Sequence, residues 1–196
     1  MRIHCIRHGV TGDNSAGRYS GGNEDSLTSP QREQLLQVAF DCSSYDVVFC
    51  SPLPRCVETA KCLCIPHWTP DPRIQERSFG IFEGLTPSEC QRRFPTEYAS
   101  FRAFDADFVI PGGESRGQHW ARVSNWVVDV SSTHREVLTI THGGTIDFLY
   151  RLGTGQSLHG GDRIFSGENA SLSVFEVRWP DVQLVDYSAR LGTQQL

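Results

Sequence analysis

The strongest constraint on this chain is a pair of short apolar runs that each end in a histidine followed by glycine. Ile3-His4-Cys5-Ile6 leads into Arg7-His8-Gly9, and far downstream Val137-Leu138-Thr139-Ile140-Thr141 leads into His142-Gly143-Gly144. Short apolar runs stopped by glycine read as buried strands. Two strands that each carry a histidine at the tip fit a parallel sheet, where sites gather at the carboxyl ends of the strands. The residue types suit attack on a phosphoryl group: imidazole as nucleophile, guanidinium to hold the oxygens, and glycine to let them approach the main chain.

The bulk numbers narrow the class. A chain of 196 residues with 38% hydrophobic and 21% charged residues is expected to fold as one domain, 1–196, around a single core. Its formal charge of −5 argues against nucleic acid as a partner, so any anion site must be a local cluster of arginines. No apolar stretch approaches the roughly 20 residues needed to span a bilayer, so no membrane partner is expected. The seven cysteines have no repeated spacing, and Met1-Arg2 passes straight into a strand-like run without a signal-peptide core. Free thiols in a cytoplasmic location are the simplest reading. Cys62-x-Cys64 followed by His67 lacks a fourth ligand, and no metal or other cofactor is expected.

Apolar runs alternate with helical patterns, which predicts an α/β fold of three layers, α/β/α, with a largely parallel central sheet. Strands are expected near Ile3 to Arg7, Val47 to Cys50, His67 to Thr69, Val137 to Thr141, Ser171 to Val177 and Gln183 to Tyr187. The last two, joined through Arg178-Trp179-Pro180-Asp181, should form an antiparallel hairpin. Helices are expected at about Pro30 to Phe40, Pro52 to Leu63, Pro87 to Phe94, Glu114 to Val130 and Thr145 to Leu152. Thr86-Pro87-Ser88-Glu89 has the form of a capping box with proline in the first helical position. The stretch of about 84–118 breaks the alternation and reads as an inserted helical cap. It carries Phe94, Tyr98, Phe101, Phe104 and Phe108 beside Arg92, Arg93 and Arg102. Any one of these aromatics is more often core than ligand contact.

Further segments point at the same sheet edge. Asn14 sits in the loop Thr11-Gly12-Asp13-Asn14, where its amide could reach a bound anion. Ser51-Pro52-Leu53-Pro54-Arg55 leaves a strand and starts a helix that carries Arg55. Gln75 to Gly84 is a glycine-punctuated loop offering Glu76 and Glu83, and Pro111-Gly112-Gly113-Glu114-Ser115 opens a helix. This ordered set, with Arg18, Gly21, Leu27-Thr28, Thr59-Ala60 and Phe79-Gly80, resembles the histidine phosphatase superfamily over essentially the whole chain. That group contains cofactor-dependent phosphoglycerate mutases and many small-molecule phosphatases. Val10 and Ser20 depart from its usual acidic residue and glutamine.

The resemblance implies that His8 accepts the phosphoryl group as phosphohistidine. It implies that Arg7, Arg55 and His142 hold the equatorial oxygens, helped by Asn14 and the Gly143 N–H, with Arg18 and Gly21 also at the phosphate. Nearby guanidinium charge should keep His8 neutral and nucleophilic. Glu76 would protonate the leaving alcohol and then deprotonate water, with Glu83 as the alternative acid. The implied function is hydrolysis of a small-molecule phosphate monoester, with phosphoglycerate mutase-type transfer as the alternative; a homodimer is left open. Two rivals have sequence support. Gly113-Glu114-Ser115-Arg116-Gly117 matches the G-x-S-x-G elbow of serine hydrolases, although Pro111-Gly112 separates it from any strand. A phospho-ligand binding module without turnover would lack a nucleophile or an acid, and both are present here.

Overall fold

The computed structural model describes residues 1–157 and 167–191. Strand β1 (Arg2–Arg7) runs into the short helix α1 (Gly12–Ser15), followed by α2 (Ser29–Leu36), β2 (Val47–Cys50), α3 (Pro54–Cys62) and β3 (Thr69–Pro70). Next come α4 (Pro87–Arg93), α5 (Pro95–Arg102), α6 (Arg116–Ser131), β4 (Glu136–Thr141), α7 (Gly143–Gly153), β5 (Ser171–Arg178) and β6 (Asp181–Arg190). The six strands form one mixed sheet in the order β3-β2-β4-β1-β5-β6. Its first four strands are mutually parallel, and β5 and β6 pair antiparallel at the other edge. The expected α/β architecture with a C-terminal antiparallel hairpin is therefore correct.

Both faces of the sheet are covered, which is why β1 and β4 are apolar almost throughout rather than alternating. Ile3, Cys5 and Val137 pack with Val123, Trp126, Ile146 and Leu149 of α6 and α7 on one face. Ile6, Leu138 and Ile140 pack with Leu35, Cys56 and Ala60 of α2 and α3 on the other. Each fully buried aliphatic side chain of this kind contributes roughly 1.5–3 kcal/mol of hydrophobic stabilisation. A third cluster of Phe82, Cys90, Tyr98 and Ile110 lies within and beside segment 84–118. Among the described residues no helix is long and apolar enough to cross a membrane. All seven cysteines are free thiols.

Several boundaries differ from expectation for local reasons. Strand β3 is Thr69–Pro70 rather than His67 to Thr69, a two-residue edge pairing with Phe49 and Cys50 that tolerates proline because it lies at the edge. Helix α2 stops at Leu36, and Val38 and Phe40 continue as loop residues packed on the core. Helix α3 starts at Pro54, not Pro52, because a residue before proline is pushed out of helical conformation and Leu53 is extended (ψ 140°). Helix α5 lies within the stretch expected as a helical cap, although no separate helix was placed there. Phe94-Pro95 ends one helix and starts the next, with Pro95 in the first helical turn of α5.

Candidate active site

The parallel register sets the centre of the site. Arg7 lies beside Thr141 in the β1–β4 ladder, so the next residues, His8 and His142, emerge side by side with ring centroids 5.1 Å apart. The His8 backbone N–H still donates to the Thr141 carbonyl (3.0 Å), which prolongs the ladder by one bond into the site. On the far side of β4, Cys50 of β2 pairs with Ile140, and Ser51 follows it into the same edge.

His8 is buried, and its Nδ1 lies 2.8 Å from the Gly9 carbonyl oxygen. A carbonyl can only accept, so Nδ1 carries the proton and Nε2 keeps its lone pair. Burial first, then the charges of Arg55 and Arg7, push the His8 pKa down to about 3, so the ring is neutral at physiological pH. Gly9 is needed for close packing, since a Cβ there would lie 2.7 Å from Gln31 Cγ. Its N–H donates to Thr59 Oγ1 (3.0 Å), and the Asn169 amide donates to the His8 and Gly9 carbonyls (3.0 and 3.3 Å).

The second histidine is equally constrained. Arg55 Nε donates to His142 Nδ1 (3.3 Å), which leaves Nε2–H to donate to Ser51 Oγ (2.7 Å). Burial, with Arg55 and His8 beside it, holds the His142 pKa well below its ordinary value. Arg55 also donates to the Asn23 and Gly21 carbonyls (3.0 and 2.6 Å) and has no exposed surface. Arg55 and His142 therefore stand behind His8 and do not form the cavity wall.

In front of His8 opens a cavity of about 240 Å³ whose wall includes Arg7, His8, Asn14, Arg18 and Glu76. Arg7 Nη1 donates to the Gly167 carbonyl (2.5 Å). The Asn14 amide oxygen accepts from Thr11 N and Asn169 Nδ2 (3.3 and 3.0 Å). Arg18 reaches away toward the Gly84 carbonyl and Glu89 (2.5 and 3.0 Å), which ties it to α4. Gly21 does not line the cavity. A Cβ there would lie 2.7 Å from the Arg77 carbonyl oxygen and from Phe79 N, and its own carbonyl anchors Arg55. Gly143 is buried at the start of α7 and is likewise absent from the wall, where Gly144 appears instead.

Glu76 faces the cavity with its oxygens on two backbone N–H groups, Arg77 N and Gly144 N, each at 3.0 Å. It thus sits on the N-terminus of α7, where the helix dipole favours a carboxylate. Gly144 makes this approach possible, because a Cβ there would come within 2.0 Å of Glu76 Oε1. Glu83 is placed differently. Its Oε1 accepts from Gly22 N, Phe79 N and Ser78 Oγ (2.9, 3.0 and 3.2 Å), a loop-bracing role outside the cavity wall.

Sequence reasoning missed Arg122, His119 and Asn169, and it named Ser51 in the segment leading to Arg55 without giving it a role. Arg122 is bidentate on Glu114 (2.8 and 2.9 Å) and donates to the carbonyls of Arg73, Gln75 and Glu76, which fixes the loop presenting Glu76. His119 lines the cavity beside Glu76, buried and pushed down to about 3 by burial and then by Arg122. Glu114 lies just before the Ser115 cap of α6 and Arg122 within that helix, so the clamp forms only once the helix start is set; nothing local pointed to Asn169. Ser115, the nucleophile of the serine-hydrolase reading, is buried as the N-cap of α6, its Oγ accepting from Gln118 N (3.0 Å). It takes no place on the cavity wall.

A six-stranded α/β sheet thus sets two histidines at adjacent strand tips beside an arginine-lined cavity. The chain belongs to the histidine phosphatase superfamily (branch 1), whose family model matches residues 3–189, and it is a phosphoric monoester hydrolase acting on small phosphate esters. It is 30% identical over 199 residues to a metal-independent phosphoserine phosphatase of Arabidopsis thaliana, covering 92% of this chain and 81% of that protein. The mycobacterial glucosyl-3-phosphoglycerate phosphatase, solved with VO3, is 25% identical with a TM-score of 0.78 over 96% of this chain and 98% of that one. An alpha-ribazole-5'-P phosphatase structure from Escherichia coli, at 23% identity and TM-score 0.80 over 97% and 98% of the two chains, shows the same fold.

Proposed function

We propose that the protein hydrolyses its phosphate monoester in two steps through a phosphohistidine on His8 Nε2, without a metal ion. The observation that carries this reading is the His8 Nδ1–H to Gly9 carbonyl bond, which leaves a neutral Nε2 lone pair next to Arg7 at the cavity floor. In the first step Nε2 attacks phosphorus, the P–O bond to the alcohol breaks, and protonated Glu76 gives its proton to the departing oxygen. In the second, water attacks phosphorus, Glu76 takes its proton, and the N–P bond breaks to return His8 to its starting state. Phosphoryl transfer of this kind is chiefly positioning and charge stabilisation.

Arg7 and the Asn14 amide hold the equatorial oxygens. Arg55, buried beside His142, adds its positive charge to the phosphoryl site while its three donated bonds fix His142 and the loop of Gly21 and Asn23. His142 supports Arg55 and keeps the floor dry. Segment 84–118 acts as a cap that supplies contacts to the leaving group through Phe101 and Phe104.

Rapid-quench labelling with a phosphate monoester tests the reading. A phosphoenzyme labile in acid and stable in base, formed in EDTA and absent from His8→Ala, is the expected result. A requirement for added divalent metal, or an acid-stable phosphoenzyme, would overturn it. Transfer to a phosphoglycerate faster than to water would make the enzyme a mutase.

A further inference from the structure

Helix α6 meets Glu76 from two of its turns. Arg122 donates to the Glu76 carbonyl (3.0 Å) and so fixes the backbone that presents the acid. His119, one turn earlier, lies on the cavity wall with Arg116 and Trp120, which share that face of the helix. His119 is only 2% exposed, and its Nε2 has no hydrogen-bond partner among the described residues. Trp126 Nε1 and Thr139 Oγ1 share that condition, but neither residue lines the cavity. A buried polar atom left unmet costs free energy, so one kept at a cavity wall calls for a ligand atom to meet it.

The ring is turned toward the carboxylate. A Cβ on Gly144 would lie 2.8 Å from His119 Cε1 and 2.0 Å from Glu76 Oε1, so both groups crowd one point at the N-terminus of α7. Cε1 is the carbon between the two ring nitrogens, and the nitrogen-bearing edge of the imidazole is therefore the edge beside Glu76. In an in-line displacement the leaving oxygen and the attacking oxygen both stand opposite His8 across phosphorus, and the acid that must reach both marks that place. His119 is no rival to that acid as a base. Burial first, then Arg122 and, less, Arg77, push its pKa down to about 3 against the opposing charges of Glu76 and Glu114, so the ring is neutral. A neutral imidazole keeps one lone pair that can accept an O–H.

We propose that His119 is a further catalytic residue, whose imidazole holds the water that attacks the phosphohistidine by accepting the O–H that Glu76 does not take. The proposal rests on the phosphohistidine reading above. In that step the water oxygen bonds to phosphorus, one water proton passes to Glu76, and the N–P bond breaks with its electron pair returning to His8 Nε2. The other O–H stays intact, bonded to His119, and becomes a hydroxyl of the product phosphate. Glu76 alone would fix the water by one hydrogen; two acceptors aim its lone pair at phosphorus.

The test uses 4-nitrophenyl phosphate labelled on phosphorus, whose nitrophenolate departs with little protonation. Nitrophenolate release in a single turnover times the first step, and the steady-state ratio of phosphorylated to free enzyme, read by rapid quench, is the first rate over the second. In His119→Leu the ratio is expected to rise about tenfold or more while the first step stays within about twofold of wild type. His119→Gln, whose amide oxygen can still accept an O–H, should bring the ratio part of the way back, and His119→Met stands in for a Leu variant that does not fold. A merely structural role would slow both steps together and gain nothing from glutamine. A ratio that does not rise, a first step slowed as much as the second, or equal behaviour of the Leu and Gln variants would overturn the proposal. Failure of the phosphohistidine reading looks different: no acid-labile phosphoenzyme forms in wild type. Vanadate dissociation constants, which need no turnover, then decide His119, with binding about tenfold weaker in His119→Leu supporting an oxygen held there and equal binding overturning it.

Discussion

The two ends of the cavity are built on opposite rules. At the floor, His8, His142 and Arg55 have their polar atoms placed by protein partners: the Gly9 carbonyl, Ser51, and the carbonyls of Gly21 and Asn23. At the mouth, Arg77 is stacked on the Phe79 and Phe101 rings. The floor is preorganised for one reaction that never changes, so its geometry is fixed by the sheet. At the Arg77 end the guanidinium is placed by packing on aromatic rings.

The largest effect should come from removing the floor's nucleophile. His8→Ala is expected to lower kcat on the order of 10⁴-fold or more for every ester, with the circular dichroism spectrum unchanged. A loss confined to some esters would erase the distinction between the two ends.

Next is Gly144→Ala, which touches only the floor. Its Cβ would fall 2.0 Å from Glu76 Oε1 and 2.8 Å from His119 Cε1, so the carboxylate must leave the α7 N-terminus. Esters with poor leaving groups should lose about 10²–10³-fold in kcat, because they depend on the proton Glu76 supplies. An activated aryl phosphate should lose less in the first step. Equal losses for both leaving groups would move the acid elsewhere.

Acid should also act through the floor. The folded-state pKa values of His8 and His119 are pushed down to about 3, and that of His142 is also well below its ordinary value. On unfolding these rings take up protons below about pH 6.5, whereas the folded protein does not until the pH is far lower. A depressed pKa contributes stability that is complete above 6.5 and lost as the pH falls, by up to about 1.4 kcal/mol per ring per pH unit. Urea midpoints between pH 7 and 4.5 should therefore fall, and His119→Leu should flatten the slope by about one proton. A midpoint independent of pH would show that the rings are protonated in the folded state.

The smallest effect tests the helix that carries residues of both ends. Ser115→Ala removes the cap of α6, from which Arg116 and His119 project, at an expected cost of about 1 kcal/mol in stability. Turnover should remain. A collapse of activity matching that of His8→Ala would restore the serine-hydrolase reading.

The sequence by itself determined the sheet and its tips. The apolar runs of β1 and β4 and the glycines after them are local patterns that mark two strands with a histidine at each tip; the β1–β4 register that sets His8 beside His142 is tertiary. The capping box Thr86 to Glu89 and the turn between β5 and β6 were legible for the same reason, since their partners lie within a few residues. Tertiary structure alone decided what those residues face. That Arg55 stands behind His8, that Gly21 packs on the Arg77–Phe79 backbone, and that Arg77 lies over the Phe101 ring all depend on segments distant in the chain. The physical reason is that periodicity and capping report short-range geometry. What a buried guanidinium faces depends on how loops from separate crossovers pack, and no local pattern encodes that.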